Sequence, residues 1–158
     1  MKIRPVILCG GAGTRLWPDK KKHQAKQFID FGGWSLIQKT LDRVNKPIFD
    51  FPIISTNLKY LKQVKLALKQ SKIKNFKIVL EPAKKNTAPA ILASALIKDI
   101  PLDQPLMFFA ADHLIEKSNI LNKSLLKNKS NLDNQNLFIF GIKPTSPSSE
   151  YGIFFNKK

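Results

Sequence analysis

The chain has 158 residues, 43% of them hydrophobic and 24% charged, which suits one globular domain with a buried core and excludes a disordered, collagenous or disulfide-built chain. A single cysteine, Cys9, rules out an internal disulfide and points to a reducing, cytoplasmic setting. Lys+Arg 27 against Asp+Glu 11 leave a net charge of +16, but every cation except Arg4, Arg15 and Arg43 is a lysine and most are scattered, so base reading by bidentate arginine is poorly served and a nucleic-acid partner is disfavoured; an anionic small substrate suits the charge equally well.

The first predicted element is a strand over 4–8, short and apolar behind Lys2. It is too brief for a signal-peptide core and runs straight into glycines. A helix follows over 35–45, where Ser35 and Gln38 form a capping-box pattern and Leu36, Thr40, Leu41 and Val44 share a face. A strand over 52–55 leads to a helix over 58–70, with Asn57 as its cap and Leu61, Val64, Ala67 and Leu68 inward. After a strand over 77–80 comes a helix over 88–98, with Thr87 as its cap and Pro89 in its first turn. Strands over 106–110 and 137–142 flank a weaker helix over 119–129. Strands alternating with helix-length segments predict an α/β fold, a Rossmann-like and mainly parallel sheet flanked by helices. No apolar run reaches the ~18–20 residues of a membrane helix, so no membrane partner is expected.

Sheets of this kind bind ligands at the carboxyl ends of their strands. Directly after the first strand stands Cys9-Gly10-Gly11-Ala12-Gly13-Thr14-Arg15-Leu16. Glycines here let the backbone turn sharply and approach a ligand closely, and their N–H groups can converge on phosphate oxygens. Arg15 adds a forked cation suited to phosphate. The plain alternative is a turn that merely needs glycine. The loop is neither a dinucleotide fingerprint, since Leu16 stands at the third glycine's place, nor a Walker loop, since no Gly-Lys-Ser/Thr closes it.

Further motifs follow in order: Trp17-Pro18, Lys26-Gln27-Phe28, Glu81-Pro82 running to Asn86-Thr87-Ala88-Pro89-Ala90, Ala111-Asp112-His113, and Phe140-Gly141-Ile142-Lys143-Pro144-Thr145-Ser146-Pro147 ending in Tyr151-Gly152. With the glycine loop, this series resembles the sugar nucleotidyltransferases, and within them the mannose-1-phosphate guanylyltransferase (GDP-mannose pyrophosphorylase) family. The resemblance runs from residue 3 to residue 154.

It implies a fold of the nucleotide-diphospho-sugar transferase type and transfer from GTP to mannose 1-phosphate, giving GDP-mannose and pyrophosphate, with cell-surface polysaccharide as the usual destination. By the same resemblance Arg15 and Lys26 are the catalytic cations that hold the phosphates and stabilise the leaving pyrophosphate. Cys9, Gly10, Gly11, Gly13 and Thr14 cradle the nucleotide, with Cys9 a small core filler rather than a nucleophile. Glu81, Asn86, Thr87 and Ala88 line the nucleoside pocket, Tyr151 and Gly152 begin the sugar side, and Asp112 ligates Mg²⁺, the cofactor the family uses. Taken singly, Lys26 reads as a solvated lysine, Asn86 and Thr87 as helix caps, and Asp112-His113 as a turn.

The sequence departs from the family pattern in places. Ala25 replaces a proline before Lys26, which loosens the backbone there, and Lys85 replaces an arginine. Asp19-Lys20 stands for Ser-Arg, and Ile153 for an aromatic. The Glu-Lys-Pro segment and the later metal-binding aspartate of the family do not occur. Residues 1–158 are therefore expected to be the nucleotide-binding part of one domain, C-terminally truncated, with the sugar-binding remainder absent. A lone chain of that kind would be a weak or incomplete enzyme, or a non-catalytic nucleotide-binding subunit that pairs with a complementary chain or with itself. The same chemistry on another sugar 1-phosphate is the near variant.

Overall fold

The structure is a computed structural model that describes residues 2–11, 25–83, 85–132, 136–142 and 146. Among the described residues, four strands and four helices alternate: β1 Arg4–Leu8, α1 Leu36–Val44, β2 Ile53–Asn57, α2 Leu61–Gln70, β3 Lys77–Glu81, α3 Thr87–Ala95, β4 Leu106–Ala110 and α4 Ser118–Lys127. The strands form one sheet in the order β3-β2-β1-β4, every pairing parallel. Parallel neighbours need long crossovers, and α1, α2 and α3 supply them.

Register follows from burial on both faces. Ile7 pairs with Ile54 and Phe109. These residues join Ile37 and Leu41 of α1, Val64 and Leu68 of α2 and Leu125 of α4 in the main core. Val6 and Ile53, one residue out of step, are equally buried on the opposite face, where α3 packs across β1, β2 and β3. The capping box of α1 forms as expected, with the Ser35 N–H donating to Gln38 Oε1 at 2.8 Å.

Three expectations need correction. The helix over 58–70 opens with a 3-10 turn, Leu58–Tyr60, before α2 proper; Asn57 stands at the start of that turn without a side-chain capping bond, its Nδ2 donating to Gly10 O instead, and Leu61 is only half-buried. The helix expected over 88–98 begins one residue earlier, because Asn86 rather than Thr87 occupies the capping position, with φ 64°. The strand expected over 137–142 carries no ladder, and Leu137, Ile139 and Ile142 are more than two-thirds exposed. Apolar content alone suggested it, but a strand also needs a partner edge, and none of the described residues pairs with this segment.

Candidate functional site

The strand order places a topological switch point between β1 and β4. The chain leaves β1 toward β2 and β3, then returns to the other side of β1 for β4. Open α/β sheets place their ligand crevice at such a point, outside the carboxyl ends of the two strands that flank it, here β1 and β4. Two of the motifs lie at its rims. Pairing continues past the strands, with the Cys9 N–H donating to Ser55 O at 2.7 Å and the Ala111 N–H to Leu8 O at 3.0 Å. The glycine loop and Asp112 therefore leave the sheet side by side.

The start of the loop is held by its carbonyls. Cys9 O accepts from Thr56 Oγ1 at 3.1 Å and from Gln27 Nε2 at 3.4 Å; Gly10 O accepts from Asn57 Nδ2 at 3.3 Å; Gly11 O accepts from Gln27 Nε2 at 2.9 Å. In a trans peptide the N–H points opposite the C=O, so tying these carbonyls to β2 and Gln27 turns the N–H groups of Gly10 and Gly11 the other way. Glu81, at the end of β3, reaches across the end of β2. It accepts from Ser55 Oγ at 2.7 Å, and its carboxylate lies against Gly10.

Lys26-Gln27-Phe28 forms a 3-10 turn in which each residue has a separate task. Phe28 anchors the turn against Tyr60, ring centroids 5.6 Å apart. Gln27, itself buried, staples the loop. Lys26 brings Nζ to 3.8 Å from Asp112 Oδ2, both side chains about one-third exposed. A cation and an anion, 86 residues apart in sequence, thus meet at the crevice.

Asn86, Thr87 and Ala88 lie exposed at the start of α3, five to seven residues past Glu81 on the same rim. Burial pushes the Cys9 thiol up to about 12, hydrogen bonding from Gln27 and Thr56 offsets part of this, and the Asp112 and Glu81 charges add to it. A thiol of that kind stays protonated and packs as a small apolar group, which agrees with its reading as a filler. Gly13, Thr14, Arg15, Tyr151 and Gly152 lie outside the described residues.

Sequence reading assigns no role to Ser55 and Thr56 and gives Asn57 only that of a helix cap. The visible signal is three successive polar residues closing a strand that opens on Ile53 and Ile54. The sequence marks Gln27 as part of a motif but does not convey that its side chain staples the loop.

Among the described residues, no three or more of His, Cys, Asp and Glu group together as a metal cage. Asp112 is a lone, partly exposed carboxylate. That fits Mg²⁺, which binds through one or two carboxylates and completes its shell with water and substrate phosphates. Among the described residues no helix is long and apolar enough to cross a membrane.

The family described as Nucleotidyl transferase matches residues 4–156. A mannose-1-phosphate guanylyltransferase of Escherichia coli is 36% identical over 152 residues, covering 95% of this chain and 32% of that protein. One of Klebsiella pneumoniae matches with the same identity and coverage. A solved structure described as mannose-6-phosphate isomerase from Helicobacter pylori superposes with a TM-score of 0.63 at 28% identity, over 82% of this chain and 46% of that one. The chain spans 32% of the length of the two curated relatives.

Proposed function

Because this chain belongs to the nucleotidyl transferase family, we propose that its crevice holds GTP and serves guanylyl transfer to mannose 1-phosphate, giving GDP-mannose and pyrophosphate. The fold supports this as an α/β sheet of the nucleotide-diphospho-sugar transferase type. The observation that carries it is the meeting of Lys26 and Asp112, 3.8 Å apart, beside the glycine loop at the switch point. Guanine and mannose come from the relatives' names.

A phosphate oxygen of the sugar phosphate attacks the α-phosphorus, a P–O bond forms, the bond to the β-phosphate bridge breaks, and pyrophosphate leaves with the electron pair. No protein nucleophile is required; positioning two polyanions and absorbing charge is the whole task. The N–H groups of Gly10 and Gly11 donate to phosphate oxygens, and Gly13 and Thr14 extend that cradle. Lys26 neutralises the β- and γ-phosphates, as Arg15 does from the same loop. Asp112 would hold Mg²⁺, which would supply positive charge to offset that of the phosphates. Glu81 fixes the loop from below, Asn86 to Ala88 border the nucleoside, and Tyr151 and Gly152 open the sugar side. The setting is the cytoplasm, where Cys9 stays reduced.

A thermal-shift panel of GTP, ATP, CTP and UTP with Mg²⁺ tests the binding step, since a ligand raises apparent stability by mass action. GTP is expected to give the largest rise, and no rise with any triphosphate overturns the reading. Pyrophosphate release on adding mannose 1-phosphate then tests transfer. A second reading is a nucleotide-binding part without turnover, for which GTP raises stability and no pyrophosphate appears.

A further inference from the structure

The last turn of α1 carries a second cation near the site. Arg43 is buried, at 3% exposure. Its Nη2 donates to His113 O at 3.2 Å and its Nη1 to Thr40 Oγ1 at 3.4 Å. Its Nε is buried with no acceptor among the described residues. The neighbouring Asp42 lies 3.7 Å from Lys46 instead, and Arg43 forms no ion pair with the described residues. Among the described residues no carboxylate hydrogen-bonds the buried guanidinium, and the Asp42 charge offsets only part of the effect of its burial; a leucine or methionine would fill such space more cheaply. What the charge gains is one backbone carbonyl, directly after Asp112.

That carbonyl sits where the backbone is weakly held. Before Asp112, the Ala111 N–H bond to Leu8 O fixes the chain at 3.0 Å. After it, the His113 N–H reaches Ala110 O only at 3.5 Å. Arg43 is thus the firmer tether on the far side of Asp112. The helix that bears it also packs against the 3-10 turn that presents Lys26. One helix therefore references both members of the pair.

We propose that Arg43 is a positioning residue that, through the His113 carbonyl, holds the Asp112 carboxylate opposite Lys26. The inference rests on the reading of Asp112 as the metal- and phosphate-side carboxylate.

The test uses the full chain with Arg43→Met, Arg43→Lys and, as reference, Asp112→Asn. Hydrogen exchange read by mass spectrometry is expected to speed up about tenfold over residues 111–114 in Arg43→Met and to stay unchanged in β1 and β2, a local effect that general loosening would not give. Mn²⁺ binding in the presence of GTP is expected to weaken about tenfold in Arg43→Met and to be lost in Asp112→Asn. Arg43→Lys, which keeps one donor, should fall between wild type and Arg43→Met in both measurements, and it carries the test alone should the methionine variant not fold. If Asp112→Asn binds Mn²⁺–GTP like wild type, the reading of the site fails and this inference with it. If Asp112→Asn loses binding while the Arg43 variants keep it, or exchange rises uniformly across the sheet, only the role of Arg43 is overturned.

Discussion

The Glu81 carboxylate lies so close to Gly10 that a Cβ built on the glycine would stand 2.8 Å from Oε2. A methyl group there would force the carboxylate to shift. Moving Glu81 aside would strain the hydrogen bond that Ser55 Oγ donates to its other oxygen at 2.7 Å. Gly10→Ala is therefore expected to cost about 1 kcal/mol by overpacking and to weaken GTP binding by displacing the loop. In urea titration, Gly10→Ala combined with Glu81→Ala should lose less than the sum of the two single changes, since the clash is absent once the carboxylate is gone. Additive losses would mean that the two residues do not press on each other.

The Lys26–Asp112 pair is expected to matter for ligand and little for folding. Both side chains are about one-third exposed, and ion pairs of that kind contribute about 0–1 kcal/mol. Lys26→Met should leave the unfolding midpoint nearly unchanged and lower GTP affinity about tenfold, the scale of one charge-assisted contact. Asp112→Asn should weaken the Mg²⁺ dependence of GTP binding more than binding in the absence of metal. Calorimetric titration with and without Mg²⁺ separates the two effects.

A different charged cluster, at the opposite end of the sheet, is expected to govern acid stability. Arg4 Nη2 lies 2.8 Å from Asp50 Oδ2, Arg4 Nη1 donates to Phe51 O at 3.0 Å, and its guanidinium stacks 3.6 Å from the Phe51 ring centroid. Gln104 accepts from Arg4 Nε and donates to Asp50, which ties the entry of β4 to those of β1 and β2. Burial pushes the Asp50 carboxyl up, but hydrogen bonds from Gln104 and the Phe51 N–H, with the Arg4 charge, hold it below its ordinary value. A depressed carboxyl stabilises the fold above the unfolded value of about 4, and the contribution is lost as pH falls through the folded value. Asp50→Asn should cost about 1–2 kcal/mol at pH 7. Urea midpoints measured from pH 7 to pH 3 should show the gap between variant and wild type closing as acid is added.

That cluster shows what periodicity cannot convey. Arg4 reads in the sequence as an ordinary first residue of a strand, and its partners at positions 50, 51 and 104 come together only once β2 and β4 have paired with β1. The four paired strands were legible because each is a short apolar run that ends in a turn, and the faces of α1 and α2 because burial repeats at helical spacing. Leu137 to Ile142 misled because it has the composition of a strand and no pairing partner among the described residues. At the site, the motifs marked Lys26 and Asp112 separately. Their meeting depends on the strand order, which places β4 beside β1. The polar closure of β2 stayed hidden for the same reason: Ser55, Thr56 and Asn57 acquire their roles from Glu81, Cys9 and Gly10 on the strands to either side.

Asn86 offers a way to separate a backbone role from a ligand role. Its φ of 64° with ψ −161° lies outside the left-handed helical basin, in a region that essentially only glycine occupies without strain. Asn86→Gly should therefore raise the melting temperature by relieving about 1 kcal/mol of strain, and Asn86→Ala, strained alike, should leave it nearly unchanged. If the side chain also borders the nucleoside, both variants lose GTP affinity alike, although only one changes stability. A glycine variant with unchanged affinity would restrict Asn86 to starting α3.

Ala25 stands where the family pattern carries proline, and the backbone there is already set for one. Its φ is −62° and its ψ 138°, inside the range that a pyrrolidine ring fixes. The carbonyl of Ala25, which accepts from the Phe28 N–H at 2.9 Å, is untouched by the exchange. Proline would narrow the unfolded ensemble and hold the turn that presents Lys26. Against this, Ala25 is 2% exposed, so the added ring atoms must find room in a packed wall. Entropy should win by about 0.5 kcal/mol, since the φ of Ala25 already suits the ring. Ala25→Pro is expected to raise the melting temperature slightly and to tighten GTP binding, because Lys26 is then aimed in advance. A lower melting temperature would show that the wall around Ala25 has closed to fit alanine, and that restoring the family residue requires compensating changes beside it.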